Sequence, residues 1–375
     1  MSALPAPAAV PAAGSTPELL VDVDAIAANV RRAAAVSGSP VLAVVKADGF
    51  GAGATTTARA ALAAGATWVG TATLGEAVAL RRAGIAAPLL CWLLPVGADW
   101  ATALRLRIDV AIASVPHLRA LAAEAARAGV RARVHLHVDT GMARDGAADL
   151  RALVATAAEA EEVGLIEVVG VMGHLARADE PEDSSNTAGI AAFRAALDLV
   201  AAAGLRPSVR HLAATEAALR LPGTAFDLVR IGAGLVGIGP GLRPALTLTA
   251  PVVLTRPVAA GTPVGYGHAA RTRRATTLAL LPLGYADGIP RRLAAQAEVQ
   301  LAGRRCRVVG RVSMDQVVVD AGPGGVRLGA VATVFGPGDH GEPTAADWAR
   351  WAGTIEHDVV TGIGARVARV AAGRA

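Results

Sequence analysis

The stretch VLAVVKADGFGAG, Val41 to Gly53, decides how the rest of the chain is read. Its first five residues form an unbroken apolar run with three valines, the pattern of a strand buried on both faces in a parallel sheet. A lysine follows at once. Lys46 is the only lysine among 375 residues, in a chain whose Lys and Arg together number 36, so arginine fills every other basic position. Arginine holds its proton in a protein, whereas a desolvated lysine can lose it, condense with an aldehyde and carry protons. A lone lysine ending a buried strand and followed by Asp48, Gly49, Gly51 and Gly53 is a Schiff-base candidate. The plain alternative is a lysine snorkelling from a strand end, and the absence of a second lysine weighs against it.

On either side, apolar strand-like runs alternate with Ala-rich segments whose apolar residues fall at helical spacing. A strand over Glu18–Val23 leads into a helix capped by Asp24 and reaching Ala35. The runs that follow are Val41–Val45, Trp68–Thr73, Pro88–Trp92, Ile108–Ile112, Arg133–Val138, Leu165–Met172, Val209–Leu212 and Asp227–Arg230. Between them Thr55–Ala64, Leu74–Arg82, Pro116–Arg127, Asp149–Glu161 and Ala188–Ala203 read as helices. Eight strands with intervening helices predict an α/β fold, a TIM-like (β/α)8 barrel. An open dinucleotide-binding sheet would need a G-x-G-x-x-G after its first strand, which this chain lacks.

Barrels of this kind carry their chemistry at the C-terminal ends of the strands. There the chain places Lys46 after the first run, His137, Asp139 and Arg144 after the fifth, and His174 after the sixth. Thr215 follows the seventh, and Arg230 with the glycines of RIGAGLVGIGPG follows the eighth. A glycine-rich turn after the last strand offers backbone N–H groups to a phosphate. Lysine and phosphate turn together suggest pyridoxal phosphate.

Beyond Leu242 the pattern changes. Leu246–Leu254, Thr277–Leu281, Glu298–Val309, Val312–Val319 and Val331–Phe335 read as strands, with turns at Gly261, Gly284, Gly303 and Gly324. Ala345–Trp351 is the one evident helix, so this part reads as a C-terminal all-β domain. The domain plan is a disordered Ala/Pro-rich tail over 1–16, the barrel over 17–244 and the β-domain over 245–375. The β-domain holds both tyrosines, Tyr266 in VGYGHAA and Tyr285 in LPLGYADGIPRR. A tyrosine beside glycine is poorly placed for core packing, which favours a role for its hydroxyl.

Composition excludes other classes. Hydrophobic residues reach 53%, much of it alanine, and the longest uncharged apolar stretch, Gly84 to Ala98, is short and broken by Pro88 and Pro95. That is no membrane span, and the N-terminus lacks the basic start and apolar core of a signal peptide. Cys91 and Cys306 fit neither a disulfide framework nor a cysteine zinc site and agree with a cytoplasmic location. The eight histidines lack metal-ligand spacing, so no metal is expected. Net charge is +5, with arginines interleaved among Asp and Glu and aromatics at 3%, which gives nucleic-acid binding only bulk charge.

AVVKADGFG, HVDTGMARDG, GHLARADEPEDS, FDLVRIGAG, VGYGH, LGYADGIPRR, VSMDQ and EPTAADWA occur in this order between Leu19 and Arg369. On these motifs the chain resembles the bacterial alanine racemases. The resemblance implies a homodimer in which each active site takes residues from the partner's β-domain, acting on free L- and D-alanine with pyridoxal 5'-phosphate. It implies that Lys46 carries the cofactor and acts as one base, while Tyr266 reaches over from the other subunit as the second. Racemisation needs two bases, because the proton removed from one face of Cα is replaced from the other. A cationic or hydrogen-bonding neighbour has to stabilise the phenolate, and His174 backed by Arg230 matches that neighbour. By the same resemblance Arg230 faces the pyridine nitrogen, which limits the ring as an electron sink. Arg144 and the Met314 N–H match the substrate-carboxylate site, and Thr215, Gly232 and Ala233 the phosphate contacts. Tyr285, Arg291 and Asp315 match the entrance or substrate pocket.

Four positions depart from the family's pattern. Phe50 and His357 stand where relatives usually have phosphate-binding tyrosines. His137 replaces a lysine that is commonly carbamylated and braces the arginine seven residues on, and Ala214-Thr215 replaces Asn-Ser. The rival readings are a racemase for another amino acid such as serine, a cofactor-binding protein without turnover, and a decarboxylase of the same barrel class. The intact β-domain with Tyr266 argues against the second. Arg230 argues against the third, since such enzymes need an acid at that place.

Overall fold

The structure, a computed structural model, describes residues 16–293 and 295–374. The tail read as disordered lies, up to Ser15, outside the described residues. Two compact units are present. One comprises Ile26–Gly49 and Ala54–Leu242, the other the described residues up to Ala25, Phe50–Gly53 and those from Arg243 onward.

The first unit is built, among the described residues, on eight parallel strands: Val41–Val44, Trp68–Thr71, Leu89–Cys91, Asp109–Ile112, Ala132–His137, Ile166–Met172, Val209–His211 and Val229–Ile231. From the first to the seventh each pairs with the next, and the first returns to the eighth through Val41↔Val229 and Leu42↔Arg230. The seam between seventh and eighth is the bridge Ala214↔Arg230, where the Arg230 N–H donates to the Ala213 carbonyl at 2.9 Å. The result is the anticipated (β/α)8 barrel. Every residue of Val41–Val44 and Leu89–Cys91 is buried, as strands covered by helices outside and side chains inside must be. Alanine sets the helix packing: the helix Ala54–Ala63 buries Thr57, Ala58, Ala60 and Ala61, small side chains that allow close approach. Two short helices, Trp100–Arg105 and Thr215–Arg220, have no counterpart in the sequence reading, because six residues carry too little periodicity.

In the second unit, a six-stranded sheet runs in the order Arg304–Arg307, Glu298–Leu301, Val331–Phe335, Leu246–Pro251, Glu18–Asp22, Ala368–Ala372. A three-stranded sheet joins Leu254–Val258, Thr276–Leu281 and Val317–Asp320. The boundary anticipated at residue 17 is thereby displaced, since Glu18–Asp22 pairs antiparallel with Leu246–Pro251 and parallel with Ala368–Ala372. The helix after it starts at Val23, and Asp22 rather than Asp24 accepts the Ala25 N–H, at 2.9 Å. Asp24 already lies inside the first turn.

The single strand anticipated over Leu246–Leu254 is two. Consecutive amides point to different partners there, Val252 N–H to the Ala330 carbonyl and Val253 N–H to that of Leu280. Glu298–Val309 folds into a hairpin about Ala302 (φ 51°) and Gly303 (φ 73°), the left-handed pair that a tight turn requires. The strand anticipated over Val312–Val319 begins only at Val317, because Ser313 N–H turns back to the Gln316 carbonyl. A second helix, Glu356–Thr361, joins Ala345–Ala352, so this unit is mostly β rather than all-β.

Candidate active site

Lys46 opens a left-handed turn at the mouth of the first barrel strand. Ala47 (φ 51°), Asp48 (φ 52°) and Gly49 (φ 65°) all occupy the left-handed region, which only glycine adopts without cost. Hydrogen bonds hold the turn: Gly49 N–H to the Val45 carbonyl at 2.9 Å, Ala54 N–H to Asp48 Oδ1 at 2.8 Å, and Ala47 N–H to Glu76 Oε1 at 2.7 Å. Burial, then the charge of Arg144, lowers the Lys46 pKa from its ordinary value, with Arg230 adding to this and Glu76 opposing it. Among the described residues the amine has no hydrogen-bond partner. It is thus closer to the neutral, nucleophilic form than a surface lysine.

Arg230 is the hub of the barrel interior. Its Nη1 donates to the His211 carbonyl at 2.7 Å and to His211 Nδ1 at 3.1 Å. Its Nη2 serves the carbonyls of Gly173 at 2.6 Å and Leu212 at 3.1 Å, and His174 Nδ1 at 3.3 Å. The Nε–H is left without a partner among the described residues. Burial pushes the guanidinium pKa down to about 10, which still leaves it charged at neutral pH.

That fixed charge dictates the imidazoles around it. Burial, then Arg230, pushes the His174 pKa down to about 3, so His174 is neutral. With Nδ1 accepting from Arg230, its proton sits on Nε2. The neighbour sought for a phenolate is therefore a hydrogen-bond donor and not a cation. His211, wholly buried and held far below the ordinary histidine value by desolvation, follows the same logic. Its Nε2–H faces His135 Nδ1 at 2.8 Å, which leaves the His135 proton on Nε2, 3.7 Å from Asp109 Oδ2. Asp109 is gripped by Arg133 through contacts of 2.9 and 3.2 Å. Room for this row comes from Gly170, paired across the sheet with His135, where a Cβ would overlap the imidazole.

His137, buried at the end of the fifth strand, places Nδ1 3.4 Å from Asp145 Oδ2. The hydrogen bond from His137 is the main cause of the lowered Asp145 pKa. The negative charge that imidazole lacks is thus supplied by the residue next to Arg144. Asp139 accepts the N–H groups of Gly141, Met142 and Ala143 and shapes the loop that carries Arg144. The Thr215 hydroxyl accepts the N–H groups of Gly232 and Gly234, each at 3.3 Å. Two N–H groups expected to be free are therefore capped, while the Thr215 O–H remains as a donor. The structure thus brings together Lys46, His137, Arg144, His174, Thr215, Arg230, Gly232 and Ala233 within the barrel unit.

In the second unit, Tyr266 sits on a single turn between Gly265 (φ 70°) and Gly267 (φ 67°) and is 69% exposed. Tyr285, Met314 and Asp315 share another patch. The Tyr285 N–H donates to the Ser313 carbonyl and the Ala286 N–H to that of Met314, each at 3.0 Å. A Cβ at Gly284 would overlap both carbonyls. Arg366 ties Asp315 to Asp287 at 2.8 Å each. Arg291 lies exposed in the loop after this turn. Phe50 and His357, two of the departures from the family's pattern, meet as an edge-to-face ring pair with centroids 6.3 Å apart.

Residues 21–240 match the family model of the alanine racemase N-terminal domain, and residues 245–371 that of the C-terminal domain. The chain belongs to the alanine racemase family. The alanine racemase of Thermobifida fusca is 48% identical over 366 residues, covering 95% of this chain and 98% of that one. The crystal structure of the alanine racemase from D-cycloserine-producing Streptomyces lavendulae superposes with a TM-score of 0.94 at 43% identity, over 97% of this chain and 98% of that one. The alanine racemase of Bartonella henselae, solved with covalently bound pyridoxal phosphate, gives a TM-score of 0.85 at 28% identity over 96% and 100%.

For this alanine racemase family member, sequence reasoning missed Glu76, Asp109, His135, Asp145 and His211. Two signals were present. Thr73-x-x-Glu76 is a capping-box pattern, and Arg133, His135 and His137 alternate, which puts them on one face of their strand.

Proposed function

We propose that the chain is a pyridoxal-phosphate-dependent alanine racemase that works by two-base proton transfer between Lys46 and Tyr266 of the partner subunit. The observation that carries this reading is Arg230, whose Nη1 and Nη2 are consumed by the barrel while its Nε–H is spare. A spare, permanently charged donor fits a ring nitrogen that keeps no proton of its own. Lys46 fits an aldehyde, and the Thr215 O–H with the turn at Ala233 fits a phosphate. When bound, pyridoxal phosphate supplies an aldehyde for the substrate amino group and a conjugated ring that delocalises negative charge at Cα.

The residues of the chain supply the rest. Lys46, its basicity lowered by burial, takes or returns the Cα proton on one face. The partner's Tyr266 serves the other, and the 69% exposure of Tyr266 within a single chain agrees with a hydroxyl that functions across a homodimer. His174, neutral and with its proton on Nε2, donates to the phenolate. Arg144 binds the substrate carboxylate, with the charge of Asp145, held by His137, beside it in the chain, and the Met314 N–H of the partner subunit assists. Tyr285, Arg291 and Asp315 of the partner subunit line the approach. Phe50 packs against His357 and bonds nothing on the phosphate, so cofactor retention rests more heavily on Thr215. The cytoplasm is the compartment we assign, in keeping with two free, buried cysteines. No described helix is long and apolar enough to cross a membrane. A racemase for another amino acid has no observation in its favour.

The test is chiral analysis of L-alanine incubated in deuterium oxide with enzyme and cofactor. Formation of D-alanine with deuterium at Cα, abolished in Lys46→Ala, is the expected result. A purified, cofactor-loaded enzyme that exchanges no Cα proton overturns the reading.

A further inference from the structure

The left-handed turn after Lys46 needs an external hold. Ala47, Asp48 and Phe50 are non-glycine residues at φ 51°, 52° and 57°, each adopting a conformation that costs roughly 1–2 kcal/mol. Bonds to Val45 and Asp48 hold the far side of the turn. The near side, next to Lys46, is held by the Glu76 side chain through the 2.7 Å bond to Ala47 N–H, beyond the strand end that the Val45 N–H fixes on the Gly70 carbonyl at 2.8 Å.

Glu76 reaches this position by doing more than a capping box requires. In a capping box the third-position carboxylate accepts the N-cap N–H and nothing else. Here Oε2 accepts the N–H of Thr73 at 2.9 Å, that of Ala72 at 3.1 Å and the Thr73 hydroxyl at 3.1 Å. The other oxygen spans to the neighbouring barrel strand's exit, to Ala47. One side chain thereby fastens the ends of two adjacent strands. Glu76 is also the carboxylate that acts on the Lys46 amine, against the positive charges of Arg144 and Arg230, and His174 lies within the same field.

We propose that Glu76 is the positioning residue for Lys46: its carboxylate locks the backbone from which the amine leaves and balances the two guanidinium groups that face it. The role deepens the racemase reading and rests on it for its purpose, though its physical content is independent of turnover.

Because the chain has one lysine, the Lys46 amine is directly observable. In cofactor-free protein labelled with lysine carrying carbon-13 at Cε, a single side-chain signal reports its titration. Glu76→Gln should move that titration down by about one unit, the size expected on losing a nearby opposite charge. Glu76→Asp should keep most of the titration yet lose hydrogen-exchange protection at the Ala47 amide, since a shorter side chain cannot span both strands. Thr73→Ala, which breaks the cap but leaves the Ala47 bond, should lower the melting temperature without moving the lysine signal. A lysine titration unchanged in folded Glu76→Gln overturns the proposal, and so, even if every variant misfolds, does an unprotected Ala47 amide in the wild-type protein. Turnover measured on the loaded enzymes separates this outcome from the racemase reading: a normal lysine shift with no activity sinks only the latter.

Discussion

The polar interior of the barrel and the tyrosine-bearing surface of the second unit are built on opposite plans. Around Arg230 the contacts are directional and mostly buried, and one fixed charge sets the proton positions of His174, His211 and His135 in turn. Tyr266 stands on a glycine-flanked turn with its ring largely in water. The barrel's groups are pre-organised before any ligand arrives, which is where electrostatic catalysis draws its strength. The tyrosine, in the proposed two-base reading, would depend on a partner subunit. Substitutions in the first region should therefore damage fold and activity together, and those in the second activity alone.

Arg230→Met probes this contrast most severely. It leaves three carbonyls and two imidazole nitrogens without their donor, and thermal or urea unfolding should register a loss of about 3 kcal/mol or more together with the activity. A variant that is inactive but fully stable would show that the network holds nothing up. Tyr266→Phe should leave stability within about 0.5 kcal/mol. It should nevertheless slow Cα exchange from one enantiomer by roughly 10²–10⁴, the value of a general acid–base group, and spare the other. Equal slowing of both enantiomers would remove the assignment of one base to each face.

Asp145→Asn tests the brace beside Arg144 and should raise the KM for alanine about tenfold with a smaller change in kcat, as loss of one charged hydrogen bond predicts. A separate effect, confined to low pH, is on acid stability. His174 titrates near 3 in the folded chain and near its ordinary value of 6.5 when unfolded. Between those limits the unfolded chain binds more protons, so stability rises with pH across the window and is unaffected above it. His174→Gln should flatten that slope in a series of melting curves, and a slope unchanged by the substitution would mean that His174 is not held neutral.

The strand-and-helix rhythm was legible because buried parallel strands and amphipathic helices leave periodic marks, and Lys46 because no other lysine competes for attention. Glu76 and His135 were harder. A capping-box glutamate looks complete once its own helix is accounted for, and nothing local reveals that its second oxygen reaches Ala47 on the adjacent strand. His135 sits in a run that reads as plain strand, and its partners Asp109 and His211 come from strands far away in sequence. The placement of Glu18–Asp22 was invisible for the same reason, since pairing with Leu246–Pro251 and Ala368–Ala372 leaves no trace near residue 18.

That pairing has a bearing on biosynthesis. Glu18–Asp22 takes its place between one strand made more than two hundred residues later, Leu246–Pro251, and another made later still, Ala368–Ala372. Barrel strands can associate as they appear, while Glu18–Asp22 waits with unsatisfied edges until Leu246–Pro251 and Ala368–Ala372 have been made. A circular permutant that joins the old ends and opens a surface loop of the barrel would shorten that wait, and its refolding yield would measure what the delay costs.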